Sequence, residues 1–233
     1  MTLELLGALG KSFLFVFAAL LPILNPAATA PIFLGLTEGA SQQTRAILAR
    51  RIARNMFWLM LGAMLVGVYV LEFFGISLPI VRVGGGLIVA ANAWRLLTTS
   101  QPTSDSRTEL AESFTPEMAR RQAFYPLTFP ISCGPGSIAA AITVGVSLVD
   151  ARVSLTLART GGAVLALLAV GALIYLAFRY AVRLLRPLGE AGTVIFLRLS
   201  AFILLCLGVQ IVWDGLSELL RDLLQPVALA QAG

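Results

Sequence analysis

The chain contains no histidine, only two cysteines, and a single lysine among its 17 basic residues. Without histidine, the commonest general acid–base group is missing. No carboxylate replaces it inside an apolar run, because Glu72, Asp150 and Asp214 all lie near run ends. Acid–base catalysis and an acidic proton relay both lose their usual groups, and the chain reads as a non-enzyme. Cys133 and Cys206 both stand inside apolar runs. That placement argues against a disulfide framework and, with no histidine, against a zinc site; no metal or cofactor is expected. Charge is scarce as well: 12% of residues carry it, against about a quarter in soluble domains. Too little polar surface remains to cover a water-soluble globule, so lipid must be the solvent for much of the chain. The net charge of +5 flanks apolar runs instead of forming one patch, which is no nucleic-acid footprint.

What is abundant is apolar sequence: 58% of residues, with a mean hydropathy of +0.88. A bilayer-spanning helix needs about 20 mostly apolar residues. Reading between charges predicts six runs, at 12–37, 55–71, 73–94, 122–149, 160–178 and 191–213, with Arg82 and Arg198 interrupting the third and sixth. The short second run should recruit Ala53 or Phe73 at its ends. Lys11, the apolar stretch after it and Ala28-Thr29-Ala30 imitate a signal peptide. Pro31 at the position after cleavage, and an apolar run continuing to Thr37, argue against removal.

With six spans, the loops at 38–54, 95–121 and 179–190 share one side. They carry eleven arginines, against four basic residues (Lys11, Arg152, Arg159 and Arg221) on the other. This positive-inside bias predicts that both termini face the periplasm. The chain divides into a first three-helix repeat (1–97), a polar cytoplasmic loop (98–121) with a short helix opening at Thr115 and Pro116, and a second three-helix repeat (122–233). Three spans per half require opposite orientations. The fold class expected is therefore all-α, with six transmembrane helices as two inverted repeats.

The first and fourth runs are the long ones, at 26 and 28 residues, and both carry prolines near their middle. Pro22, Asn25-Pro26 and Pro31 interrupt the first; Pro126, Pro130 and Gly134-Pro135-Gly136 interrupt the fourth. Proline removes a helical hydrogen bond, yet Asn-Pro or Gly-Pro is also how a helix begins, with proline at its first position. Each run thus reads as two half-helices, the second starting at Pro26 or Pro135. Freed N–H groups there suit a carboxylate, and nearby carbonyls a cation. The plainer reading is a kinked packed helix whose backbone is repaired by Ser and Thr. The breaks with Thr29, Thr128, Ser132 and Ser137 beside them make the candidate substrate site. Arg82 and Arg198 join it as intramembrane charges, for which an ion pair is the alternative. Asn92 and Gln210 could each line a cavity, but read more readily as inter-helix hydrogen-bonding residues. Gly84-Gly85-Gly86 with Ala90, and Gly162 with Ala166, read as close helix-packing faces that would also permit a homo-oligomer.

At Leu24-Asn25-Pro26 through Leu36-Thr37, and at Tyr125-Pro126-Leu127-Thr128-Phe129-Pro130 followed by Gly134-Pro135-Gly136-Ser137-Ile138, the chain resembles the MarC family. The resemblance covers nearly the whole chain. It implies a bacterial inner-membrane protein related to small-amino-acid exporters of the LysE type, some of whose relatives are described as transporting glycine and alanine. Cys133 stands where many relatives have a small or hydroxyl residue. The function expected is transport of small neutral amino acids or similar metabolites by alternating access, with membrane lipid and a small-molecule substrate as partners. Two other classes compete. A thiol–disulfide electron carrier needs a reactive cysteine pair, but Cys133 corresponds in the other half to Leu24. A non-transporting accessory protein would be marked by a large soluble domain or a long charged tail.

Overall fold

A computed structural model describes residues 2–37, 40–98, 123–125 and 127–231, and every regular element among them is helical. The first run folds as α1 (Thr2–Leu24) and α2 (Pro26–Leu36). The second is α3 (Gln42–Phe73) and the third α4 (Leu78–Thr98). The fourth is a wide π-type turn over Leu127–Ser132 followed by α5 (Pro135–Ser147). Beyond it come α6 (Val153–Arg179), the short α7 (Ala181–Leu185), a 3₁₀ turn (Arg186–Leu188) and α8 (Gly189–Gln231). The expected helix start at Thr115 and Pro116, with nearly all of the polar loop, lies outside the described residues, as does Pro126.

Among the described residues, five stretches are long and apolar enough to cross a membrane: Leu3–Leu36, Gln42–Phe73, Leu78–Thr98, Val153–Arg179 and Ala191–Arg221. The fourth run is not among them. The 13 residues of α5 rise only about 20 Å, short of the roughly 30 Å hydrocarbon core. The second helix is longer than its apolar run, because it starts at Gln42 and not near Ala53. Ser41 caps it, accepting the Thr44 N–H at 3.1 Å, so Arg45, Arg50, Arg51 and Arg54 ride on helix that precedes the apolar stretch.

The bundle is held by interlocking pairs. The α1–α2 run lies parallel to α6: Arg152 donates to Glu4 at 2.7 Å at one end, and Phe33 stacks on Phe178 at 4.5 Å at the other. Helix α3 runs antiparallel to α6, with Arg50, Ala53 and Phe57 sharing a groove with Tyr175, Gly171 and Leu167. Helix α4 runs antiparallel to α8. There Arg82 is ion-paired with Glu218, and Gly86 abuts Gly208 and Val212. The start of α1 and the far part of α8 therefore share one end of the bundle. The arginine-bearing starts of α3 and α7 share the opposite end.

The core is mostly aliphatic, with methionines and the Phe33–Phe178 stack among it. Val16, Leu20, Met56, Met60, Leu167 and Val170 are wholly buried. Large apolar residues also cover the outside, among them Phe73 at 84% and Trp58 at 63% exposed. An exterior of this kind is stable against lipid tails but would aggregate in water. Several contacts depend on the absence of a side chain. A Cβ on Gly162 would lie 2.2 Å from the Leu9 carbonyl oxygen, and one on Gly145 would lie 2.0 Å from that of Met64. Of the glycine triplet, Gly85 and Gly86 make such contacts (with α5 and α8), whereas Gly84 faces open space.

Candidate functional site

The first break turns on Asn25. Its backbone is left-handed, at φ 41° and ψ 64°, a conformation that asparagine tolerates better than other residues with a Cβ. The Asn25 side chain accepts the Ala28 N–H at 3.1 Å, while the Thr29 hydroxyl donates to the Asn25 carbonyl at 3.0 Å. Pro26 brings no N–H. As a result the Ala27 N–H and the carbonyls of Pro22, Ile23 and Leu24 have no backbone partner among the described residues. Helix α2 restarts with its own cap in place and ends at Thr37. Arg45 donates to the Thr37 carbonyl through Nε and Nη2, at 3.2 and 2.9 Å, placing a cation where the helix dipole is negative.

The second break is built differently. The π-type turn is opened by Phe129, in extended conformation at φ −114° and ψ 127°, and the Phe129–Pro130 peptide is cis. Gly134 precedes α5 as an extended N-cap with no side-chain bond, and Pro135 follows it. The Gly134 and Gly136 N–H groups have no backbone partner among the described residues. Gly136 must be glycine for a steric reason, since a Cβ would meet Val89 at 2.1 Å and the Gly85 carbonyl oxygen at 2.9 Å.

The hydroxyls beside the second break are buried, and each donates to its own chain. Thr128 bonds the Ala123 carbonyl at 2.6 Å, Ser132 that of Leu127 at 2.7 Å, and Ser137 that of Gly134 at 2.7 Å. Bonding a carbonyl of their own segment satisfies these hydroxyl protons inside the apolar bundle; the Ala123 and Gly134 carbonyls also accept backbone N–H groups. Each oxygen keeps acceptor capacity for a ligand. Helix α1 packs against α5 and α2 against the π-type turn, so the two broken runs lie side by side within the bundle.

Not every expected residue joins them. Arg82 is ion-paired with Glu218 across α4 and α8, and Arg198 is exposed on α8. No bond ties either to the breaks among the described residues. Asn92, expected first as an inter-helix hydrogen-bonding residue, stands at the second break, with its Nδ2 4.0 Å from the position a Gly134 Cβ would take. A lone amide in the apolar third run was the signal. Both cysteines are free thiols, Cys133 buried beside the second break and Cys206 exposed on α8.

Long apolar helices around two proline-broken runs define a multi-pass helical membrane protein. The model of the MarC family of integral membrane proteins matches residues 10–220. The chain is 30% identical over 221 residues to the inner membrane protein MarC of Escherichia coli O1:K1, covering 94% of this chain and 98% of that one. The MarC proteins of Escherichia coli O157:H7 and strain K12 are equally similar, at 30% identity and the same coverage. No solved structure matches the chain. The chain belongs to the MarC family and is a multi-pass inner-membrane protein.

Proposed function

We propose that the protein transports small neutral amino acids or related metabolites across the inner membrane, by alternating access around its two broken runs. The observation that carries this reading is the pairing of the breaks: two proline-interrupted runs, side by side inside the bundle, each with backbone groups released from helical bonding. Both breaks release carbonyls, which suit the ammonium of a zwitterion, and the second adds the Gly134 and Gly136 N–H groups, which suit its carboxylate. Small residues at Ala28, Gly134 and Gly136 suit a small solute. Binding residues under this reading are Asn25, Pro26, Thr29 and Pro31 on one side. Thr128, Pro130, Ser132, Gly134, Pro135, Gly136 and Ser137 supply the other.

Counted with the broken fourth run, the chain makes six crossings as two inverted halves. Packing supports this, because exchanging the halves maps contacts onto contacts: the first run on α6 becomes the fourth run on α3, and α4 on α8 maps onto itself. The arginine-rich end then faces the cytoplasm and both termini the periplasm. The test is counterflow of labelled glycine and alanine in proteoliposomes, beside an Asn25→Leu variant. Saturable flux lost in the variant supports the reading. Absence of flux from the folded protein across a panel of small amino acids rejects the substrate class.

A further inference from the structure

Away from the breaks, a groove of about 380 Å³ runs between α3 and α6 at the arginine-rich end of the bundle. Its floor and walls are apolar: Ala53, Phe57, Leu167, Leu168, Gly171 and Ala172. Its polar members are Arg50, Arg54 and Tyr175, with no carboxylate among the described residues lining it. More positive charge stands beside it. Arg179 bonds the Tyr175 hydroxyl and lies 5.6 Å from the ring centroids of both Tyr175 and Tyr180, and Arg183 lies 5.7 Å from that of Tyr180. Those rings hold two guanidiniums at one level, where aromatic side chains favour the membrane interface. The groove opens on the outer face of the bundle, where Leu168 is 51% exposed and Trp58, next to Phe57, is 63% exposed.

We propose that this groove is a binding site for an anionic phospholipid, with the phosphate on Arg50 and Arg54 and an acyl chain along Phe57, Leu167 and Ala172. Two features together select that occupant. Clustered guanidiniums without a lining carboxylate attract an anion and match phosphate geometry. The continuous apolar wall beneath them contributes nothing to a free inorganic anion, but it is complementary to a lipid tail. Basic pockets between transmembrane helices are the setting in which acidic headgroups are recognised. The site lies on the helix pair α3–α6 and stands independently of what the breaks carry.

The experiment is native mass spectrometry of the full chain in detergent, offered equal amounts of dioleoyl phosphatidylglycerol and dioleoyl phosphatidylcholine. Two arginines near a headgroup, at about 1 kcal/mol each, correspond to a preference of roughly 5- to 30-fold for the anionic lipid. Arg50→Gln with Arg54→Gln should bring that preference close to unity. Arg50→Lys with Arg54→Lys should keep most of it, which also controls for folding. Ala172→Phe, filling an exposed wall while leaving both arginines, should weaken retention of phosphatidylglycerol, and Arg152→Gln at the opposite end should change nothing. Equal retention of the two lipids would overturn the proposal. So would an unchanged preference in the double glutamine variant, or displacement of the lipid by inorganic phosphate alone.

Discussion

Replacing Gly162 by alanine separates helix packing from helix propensity, because its neighbour supplies the control. A Cβ at Gly162 would stand 2.2 Å from the Leu9 carbonyl oxygen and 3.0 Å from the Phe13 nitrogen, both backbone atoms of α1. An unstrained carbon–oxygen approach is about 3.3 Å, so α1 and α6 must part by roughly 1 Å. No side-chain rotation can relieve a backbone clash. A gap of 0.5–1 Å forfeits about a quarter to a half of each dispersion contact along the seam. Overpacking of this kind costs about 1–3 kcal/mol, and the backbone origin puts Gly162→Ala near 2–3 kcal/mol. That is about a 30- to 150-fold change in the folding equilibrium. At Gly161 a Cβ would meet only Leu9 Cδ1, at 3.9 Å. Gly161→Ala should therefore be neutral, or stabilising by up to about 1 kcal/mol through helix propensity. Both variants would be compared with the parent in detergent, by denaturant titration and by the fraction remaining monodisperse after heating. Equal stability of the two variants would refute the close α1–α6 contact.

Three further outcomes follow from other parts of the structure. Asn25→Ala should cost about 1 kcal/mol, by removing the cap on Ala28 at a position with positive φ. Asn25→Gly should cost only a few tenths, so thermal unfolding of the pair reports the structural share of Asn25, and flux in the glycine variant the rest. Arg82→Gln and Glu218→Gln should each destabilise, and the double variant should recover part of the loss. With 24% and 44% of the two side chains exposed, a double-mutant cycle should give a coupling of about 0.5–1 kcal/mol. Asp150 is held below the usual carboxylate range, first by the Arg152 N–H that it accepts and then by the charges of Arg159 and Arg152. The folded state thus binds fewer protons at Asp150 than the unfolded state does. The resulting stability is present above the ordinary unfolded-state carboxylate value and lost as pH falls through the lower folded one. Asp150→Asn should flatten that part of an acid-unfolding profile in detergent.

Membrane placement was legible from composition and run length, since apolar surface must meet lipid wherever it falls in the chain. The breaks at Asn25-Pro26 and Gly134-Pro135 were legible too, because proline lacks an N–H and restricts its predecessor whatever surrounds it. The grouping of arginines at one end followed from counting reversals between runs. Only the tertiary structure decided that Gly85 and Gly86, and not Gly84, touch other helices, since which face of α4 turns inward depends on α5 and α8. The same holds for Arg82, whose partner Glu218 lies 136 residues away, beyond any local pattern. It also holds for the start of α3, where charged residues hide a helix that the Ser41 cap and the packing of Leu48, Ala49 and Ile52 sustain. Local backbone chemistry could be read along the chain, whereas side-chain partnership depends on distances that only the assembled bundle sets.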